Sequence, residues 1–281
     1  MKLLRYGPAG QEKPGLLDAE GVVRDLSGHV DDIAGDVLGD AGLNGLRAID
    51  PASLPKVEGD VRIGPCVGRV GKVIAIGLNY SDHAAETGAT VPPEPIVFFK
   101  ATSSLCGPND DVEIPRHSVS TDWEVELAVV IGKHAKYVDE ADALDHVAGY
   151  CVMNDVSERD FQIRRSGQWV KGKSADTFGP LGPWLVTRDE VADPQALQMY
   201  LEVNGKRFQD GSTSTMVYGV TYLVSYLSQF MSLQPGDVIT TGTPPGVGMG
   251  QKPEPVYLKP GDHMELGIAG LGVQRQVVKA G

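Results

Sequence analysis

Two glutamates, Glu124 and Glu126, stand at alternate positions in Thr121-Asp122-Trp123-Glu124-Val125-Glu126-Leu127-Ala128-Val129-Val130-Ile131. The alternation is that of a strand. Trp123, Val125, Leu127 and Val129 take one face, and Glu124, Glu126 and Ala128 the other. On a rise of about 3.3 Å per residue the two carboxylates fall about 7 Å apart. Apolar residues follow at once, so the strand heads into a core, where two anions repel unless something neutralises them. A divalent metal does so most simply. Oxygen-only ligands point to Mg²⁺, Mn²⁺ or Ca²⁺ rather than zinc. Taken alone, the pair is equally the solvated face of a strand.

Other residues could join this chemistry. The apolar run from His146 to Asn154 reads as a buried strand ending in Asp155, a candidate third carboxylate or a local turn former. Ser157-x-x-Asp160 resembles a capping box, which predicts a helix from Ser157 to Arg165 with Arg159 and Gln162 on one face. Upstream, Ser81 or Asp82 can cap a short helix carrying His83 and Glu86 at i and i+3. A carboxylate beside an imidazole fixes its tautomer and raises its basicity, which suits a general base; the plain alternative is a surface pair. Lys100 closes the apolar strand Ile96–Lys100 and is read as snorkelling to the surface rather than pointing at a ligand. Lys171 and Lys173 lie in a predicted loop, as solvated charge or as cations for a substrate anion. The segment Gly242-Thr243-Pro244-Pro245-Gly246-Val247-Gly248 offers backbone N–H groups and a hydroxyl, a cradle for a carboxylate or an ordinary Gly/Pro loop. No helix follows it, and no G-K-[ST] closes it, so it is neither a dinucleotide fingerprint nor a P-loop.

The elements that must position these residues follow from the rest of the chain. Its 281 residues suffice for a catalytic domain with a small appendage. We assign residues 1–70 to a small N-terminal unit, with a strand at Lys2–Tyr6 and a hairpin around Ala19-Glu20-Gly21, and residues 71–281 to the catalytic domain. Asn204-Gly205 is a two-residue hairpin signal, and Val220–Met231 has the apolar spacing of a core helix. A net charge of −12 argues against nucleic acid and anionic membranes as partners. Three isolated cysteines fit buried thiols in a reducing compartment. With no apolar leader and no run of about 20 apolar residues, a cytoplasmic location is expected.

Several segments together resemble the fumarylacetoacetate hydrolase superfamily, in its bacterial two-part form. They are Gly77-Leu78-Asn79-Tyr80 with His83 and Glu86, Asp122 to Leu127, Asn154 to Gln162, Lys171-Gly172-Lys173-Ser174, and Thr241 to Gly248, in family order over residues 72–281. The resemblance implies an α+β fold, a mixed-sheet roll, with a small N-terminal α/β appendage, and a homodimer. It implies that Glu124, Glu126 and Asp155 bind Mg²⁺ or a related ion. It implies that Lys173, Arg159, Gln162, Thr243 and Gly242 face a small anionic keto-acid substrate, and that His83 and Glu86 activate water. Many relatives carry Arg at the position of Leu78. The activity implied is cleavage of the C3–C4 bond of a 2,4-diketo acid, either an acylpyruvate or a 2,4-diketo-3-deoxy sugar acid of the rhamnose or fucose type, to pyruvate and a carboxylic acid. Oxaloacetate decarboxylase, dienedioate isomerase and ureidoglycolate lyase chemistries are the alternatives on the same site. A ligand-binding protein that has lost catalysis is the non-enzymatic one.

Overall fold

The computed structural model describes residues 1–82 and 92–281. His83 and Glu86 lie outside the described residues.

In chain order the strands are β1 (Lys2–Tyr6), β2 (Lys13–Leu17), β3 (Val23–Asp25), β4 (Val73–Gly77), β5 (Ile96–Lys100), β6 (Leu105–Cys106), β7 (Val112–Ile114), β8 (Thr121–Asp122), β9 (Val125–Ile131), β10 (Val147–Asn154), β11 (Ser157–Glu158), β12 (Gly179–Thr187), β13 (Gln198–Val203), β14 (Lys206–Ser212), β15 (Val238–Thr240), β16 (His263–Ile268) and β17 (Gly272–Ala280). Among the described residues, the helices α1 (Asp40–Arg47), α2 (Val170–Lys173) and α3 (Val220–Phe230) join these strands in an α+β architecture.

β9 is buried along its whole length because both of its faces are covered. Val125, Leu127, Val129 and Ile131 join one core with Leu223, Val224 and Leu227 of α3 and with Leu201 and Leu266 of the second sheet. Ala128 and Val130 join the other core, with Leu3, Leu38, Leu43 and Leu46 of the leading segment. A strand covered on both faces needs a nearly unbroken apolar run, which β9 and β10 both have. The main sheet runs β3-β2-β1-β12-β10-β9-β15-β4-β5, so the leading strands extend the sheet that carries the acidic residues. The joint is antiparallel, Leu3 facing Leu185. The sheet is mixed, since β15 runs parallel to β4 and antiparallel to β9. A five-stranded sheet, β14-β13-β16-β17-β7, packs across the first core. Its β13–β14 hairpin turns at Asn204 and Gly205, both with positive φ, as an Asn-Gly turn requires.

Three local expectations are corrected. The Glu-x-Glu strand is not continuous: Trp123 and Glu124 interrupt it between β8 and β9, where the Asp122 carboxylate accepts from the Trp123 N–H at 2.8 Å. The helix predicted over Ser157–Arg165 is instead the short strand β11, paired with β8, followed by a single π-helical turn at Asp160–Arg164. Ser157 does not cap a helix because its hydroxyl donates to the Asp155 carbonyl at 2.8 Å. The loop predicted around Lys173 contains α2, and Lys173 is its last residue. No helix among the described residues is long and apolar enough to cross a membrane.

Candidate metal centre and active site

The three acidic residues reach the site from strands β9 and β10 and the chain beside them. Glu126 projects from β9. Glu124 sits in the gap before it, and Asp155 follows the end of β10. The β9–β10 pairing sets Met153 opposite Glu126 and Asn154 opposite Val125. The Asp155 N–H then donates to the Glu124 carbonyl at 2.9 Å, which draws the two carboxylates together. Oxygens of Glu124, Glu126 and Asp155 lie within 4.8 Å of one another, and all three residues are buried. Three buried carboxylates converging on one point are the donor set of a hard divalent cation, so the residues present fit such an ion.

Three cations pair with this cluster. Lys173 Nζ bridges Glu124 Oε2 at 2.6 Å and Asp155 Oδ2 at 2.7 Å. Lys100 Nζ lies 2.5 Å from Asp155 Oδ1. Arg159 pairs with Asp122 Oδ2 at 2.8 Å and with Glu124 Oε1 at 2.7 Å. Burial pushes the Glu124 carboxyl up, but Lys173 and Arg159 outweigh it and hold it down at about 2. Glu126 lacks a cationic partner among these residues. Burial first, then the charges of Asp155 and Glu124, drive its carboxyl well above the usual range. Its Oε2 accepts from the Gly242 N–H at 2.8 Å and from the Thr240 hydroxyl. Burial opposes the charge on Lys173, but Asp155 and Glu124 keep its pKa raised.

Lys100 is where sequence reasoning missed a site residue. It does not snorkel outward: it is 2% exposed and ion-paired with Asp155. A charge closing an apolar strand was the available signal. Asp122 is the second omission. It is fully buried, and its carboxylate accepts from Gly248 N–H (2.6 Å), Met249 N–H (2.9 Å) and Arg159 Nε (2.9 Å) as well as from Trp123. The glycine-rich loop is therefore a cradle for the protein's own carboxylates, Asp122 and Glu126. The Thr243 hydroxyl is likewise committed, donating to the Val125 carbonyl and accepting from Gln209. The Gln162 side-chain oxygen accepts from Arg159 at 3.0 Å.

A cavity of about 220 Å³ opens on this cluster, and Glu124, Glu126, Asp155, Arg159, Gln162, Lys173, Gly242 and Thr243 all line it. The structure thus brings together every described residue expected to bind metal or substrate. Lys171 is excluded: it is exposed, and its ammonium donates to the Arg165 carbonyl.

Fold and site together define a mixed-sheet α+β protein with a buried carboxylate centre suited to a divalent ion. The sequence matches the family model for the fumarylacetoacetate (FAA) hydrolase C-terminal region over residues 72–279. A Burkholderia multivorans protein, provisionally named a hydrolase, is 70% identical over 280 residues, covering 100% of this chain and 99% of that protein. The solved structure of maleylpyruvate hydrolase from Sphingobium sp. SYK-6, in complex with manganese(II) ion and pyruvate, is 30% identical with a TM-score of 0.82, covering 100% of both chains. That of 5-carboxymethyl-2-hydroxymuconate delta-isomerase from Mycobacterium smegmatis is 32% identical with a TM-score of 0.77, covering 100% of this chain and 99% of that one. The chain belongs to the fumarylacetoacetate hydrolase family.

Proposed function

We propose that the protein is a divalent-metal-dependent hydrolase that cleaves the C3–C4 bond of a 2,4-diketo acid to pyruvate and a carboxylic acid. The observation that carries this reading is the buried Glu124–Glu126–Asp155 cluster, with Lys173 bridging Glu124 and Asp155, in the lining of one cavity. The manganese and pyruvate in the Sphingobium hydrolase support the same choice of ion and product.

Glu124, Glu126 and Asp155 would hold the ion, which polarises substrate oxygens and stabilises developing enolate charge. Lys173 then exchanges its carboxylate partners for the substrate and donates to the oxygen that gains charge. Arg159 keeps Glu124 in place through its pairing with Asp122, and presents Gln162 to the cavity. His83, oriented by Glu86, takes a proton from the attacking water. The hydroxide equivalent adds to C4. The C3–C4 bond breaks, its electron pair passes to C3 as the enolate of pyruvate, and a proton returned to C3 completes the balance.

The test is pyruvate release from an acylpyruvate and from a 2,4-diketo-3-deoxy sugar acid, with Mg²⁺, with Mn²⁺ and with EDTA. We expect metal-dependent pyruvate and one equivalent of acid, with a loss of roughly 10²–10⁴ in rate for His83→Ala. The Mycobacterium isomerase names the alternative chemistry. A rearranged product of unchanged mass, with no pyruvate, would replace hydrolysis by isomerisation.

A further inference from the structure

Resting on that hydrolase reading, we infer that the substrate carries a single carboxylate and an uncharged tail with an apolar end. Two independent features of the cavity lead there. The first is its wall. Besides its charged residues the cavity is lined by Ile76, Leu78, Phe98, Ile163, Trp169 and Met249. This wall is constructed rather than incidental. Leu78 holds a φ of 51°, a left-handed conformation that a branched side chain adopts only under constraint. The constraint is Asn79, whose side-chain amide donates to the Thr241 and Tyr218 carbonyls while its oxygen accepts from the Tyr218 N–H. Next to it, Gly77 leaves room for an indole: a Cβ there would stand 2.4 Å from Trp169 Cζ3. Trp169 in turn packs edge-on against Phe98, with ring centroids 5.2 Å apart.

The second feature is charge. Among the described residues at the cluster, four carboxylates (Asp122, Glu124, Glu126, Asp155) face three cations (Lys100, Arg159, Lys173), and every one of these cations is already ion-paired. With all four carboxylates ionised, a bound divalent ion would leave the cluster with one positive charge in surplus. One substrate carboxylate balances that surplus. A second carboxylate on the tail would lie against the apolar wall, where an unpaired anion is strongly disfavoured. The apolar side chains offer it no cation, and Arg159 and Lys173, which also line the cavity, are already ion-paired.

A matched pair of substrates tests this. Butanoylpyruvate (2,4-dioxoheptanoate) and succinylpyruvate (2,4-dioxoheptanedioate) differ only in a terminal methyl against a terminal carboxylate. With the full-length protein and Mn²⁺, kcat/KM for pyruvate release should favour the methyl compound by at least about 100-fold. Leu78→Arg should narrow that ratio by about 10-fold or more, since it places a cation on the wall. If Leu78→Arg does not fold, the wild-type ratio decides. Equal or faster cleavage of the diacid overturns this inference and leaves the hydrolase reading standing. No pyruvate from either compound, nor from the sugar acid, overturns the hydrolase reading and this inference with it.

Discussion

Lys100 Nζ sits 2.5 Å from Asp155 Oδ1, and both side chains are shut off from solvent. Lys173 holds the other oxygen of the same carboxylate. The two lysines are not equivalent. Lys173 lines the cavity, whereas Lys100 lies behind Asp155, with a second bond to the Val156 carbonyl at 3.3 Å. Lys173 is therefore placed to meet substrate, and Lys100 to fix the carboxylate.

Lys100→Met should destabilise the metal-free protein by about 3–5 kcal/mol, the usual cost of stripping one partner from a buried ion pair. Urea unfolding in EDTA reads this. A change below about 1 kcal/mol would mean that Lys173 alone satisfies Asp155.

Glu126 makes a pH prediction. Its folded pKa is raised, so its contribution to stability is full below the ordinary value of 4.5 and is lost as pH rises through the folded value. Glu124 acts in the opposite sense: held at about 2, it contributes above 4.5 and loses that contribution as pH falls towards about 2. In EDTA, Glu126→Gln should abolish the part of the alkaline-side loss that wild type shows, while the acid-side loss persists. The variant should also lose the rise in Tm that Mn²⁺ gives wild type. Thermal melts across pH, with and without Mn²⁺, check both expectations.

Asp122→Asn keeps the shape of the side chain but turns an NH2 donor towards groups that themselves donate. The carboxylate takes four hydrogen bonds, three from backbone N–H groups and one from Arg159, and an amide nitrogen cannot accept them. A loss of about 3 kcal/mol is expected, with lowered turnover because Arg159 and the glycine-rich loop lose their common anchor. Urea unfolding and pyruvate release measure the two effects. Wild-type stability in the variant would remove Asp122 from this role.

Gly77→Ala should move the Trp169 indole, because the added methyl overlaps its ring. A shift in tryptophan fluorescence and a destabilisation of about 1–3 kcal/mol are expected from overpacking. An unchanged spectrum would show that the wall does not depend on Gly77.

Cys66, Cys106 and Cys151 are all free and buried. Burial pushes the Cys106 thiol far up, and a hydrogen bond with Cys66, followed by burial, does the same for Cys151. A thiol reagent that attacks thiolate should label none of the three rapidly in the native protein, and all three in guanidinium. Fast native labelling at any one would contradict the packing.

The sequence by itself determined the parts of this protein that depend on near neighbours. Alternation marked β9, the apolar run marked β10, Asn204-Gly205 marked a hairpin and apolar spacing marked α3, because strand pleat, turn and helix periodicity are local properties. Glu124, Glu126 and Asp155 were legible as ligand candidates, because a carboxylate in an apolar run needs compensation wherever the chain goes. Only the tertiary structure decided which cations supply it. Lys100, Arg159 and Lys173 come from three separate segments, and their convergence on Glu124 and Asp155 depends on how the strands are ordered in the sheet. The same ordering makes Ser157 a strand residue rather than a cap, since pairing with β8 outweighs a local capping preference. It also turns the glycine-rich loop inward onto Asp122 and Glu126. Ion pairing across the sheet is a long-range term with no trace in residue spacing.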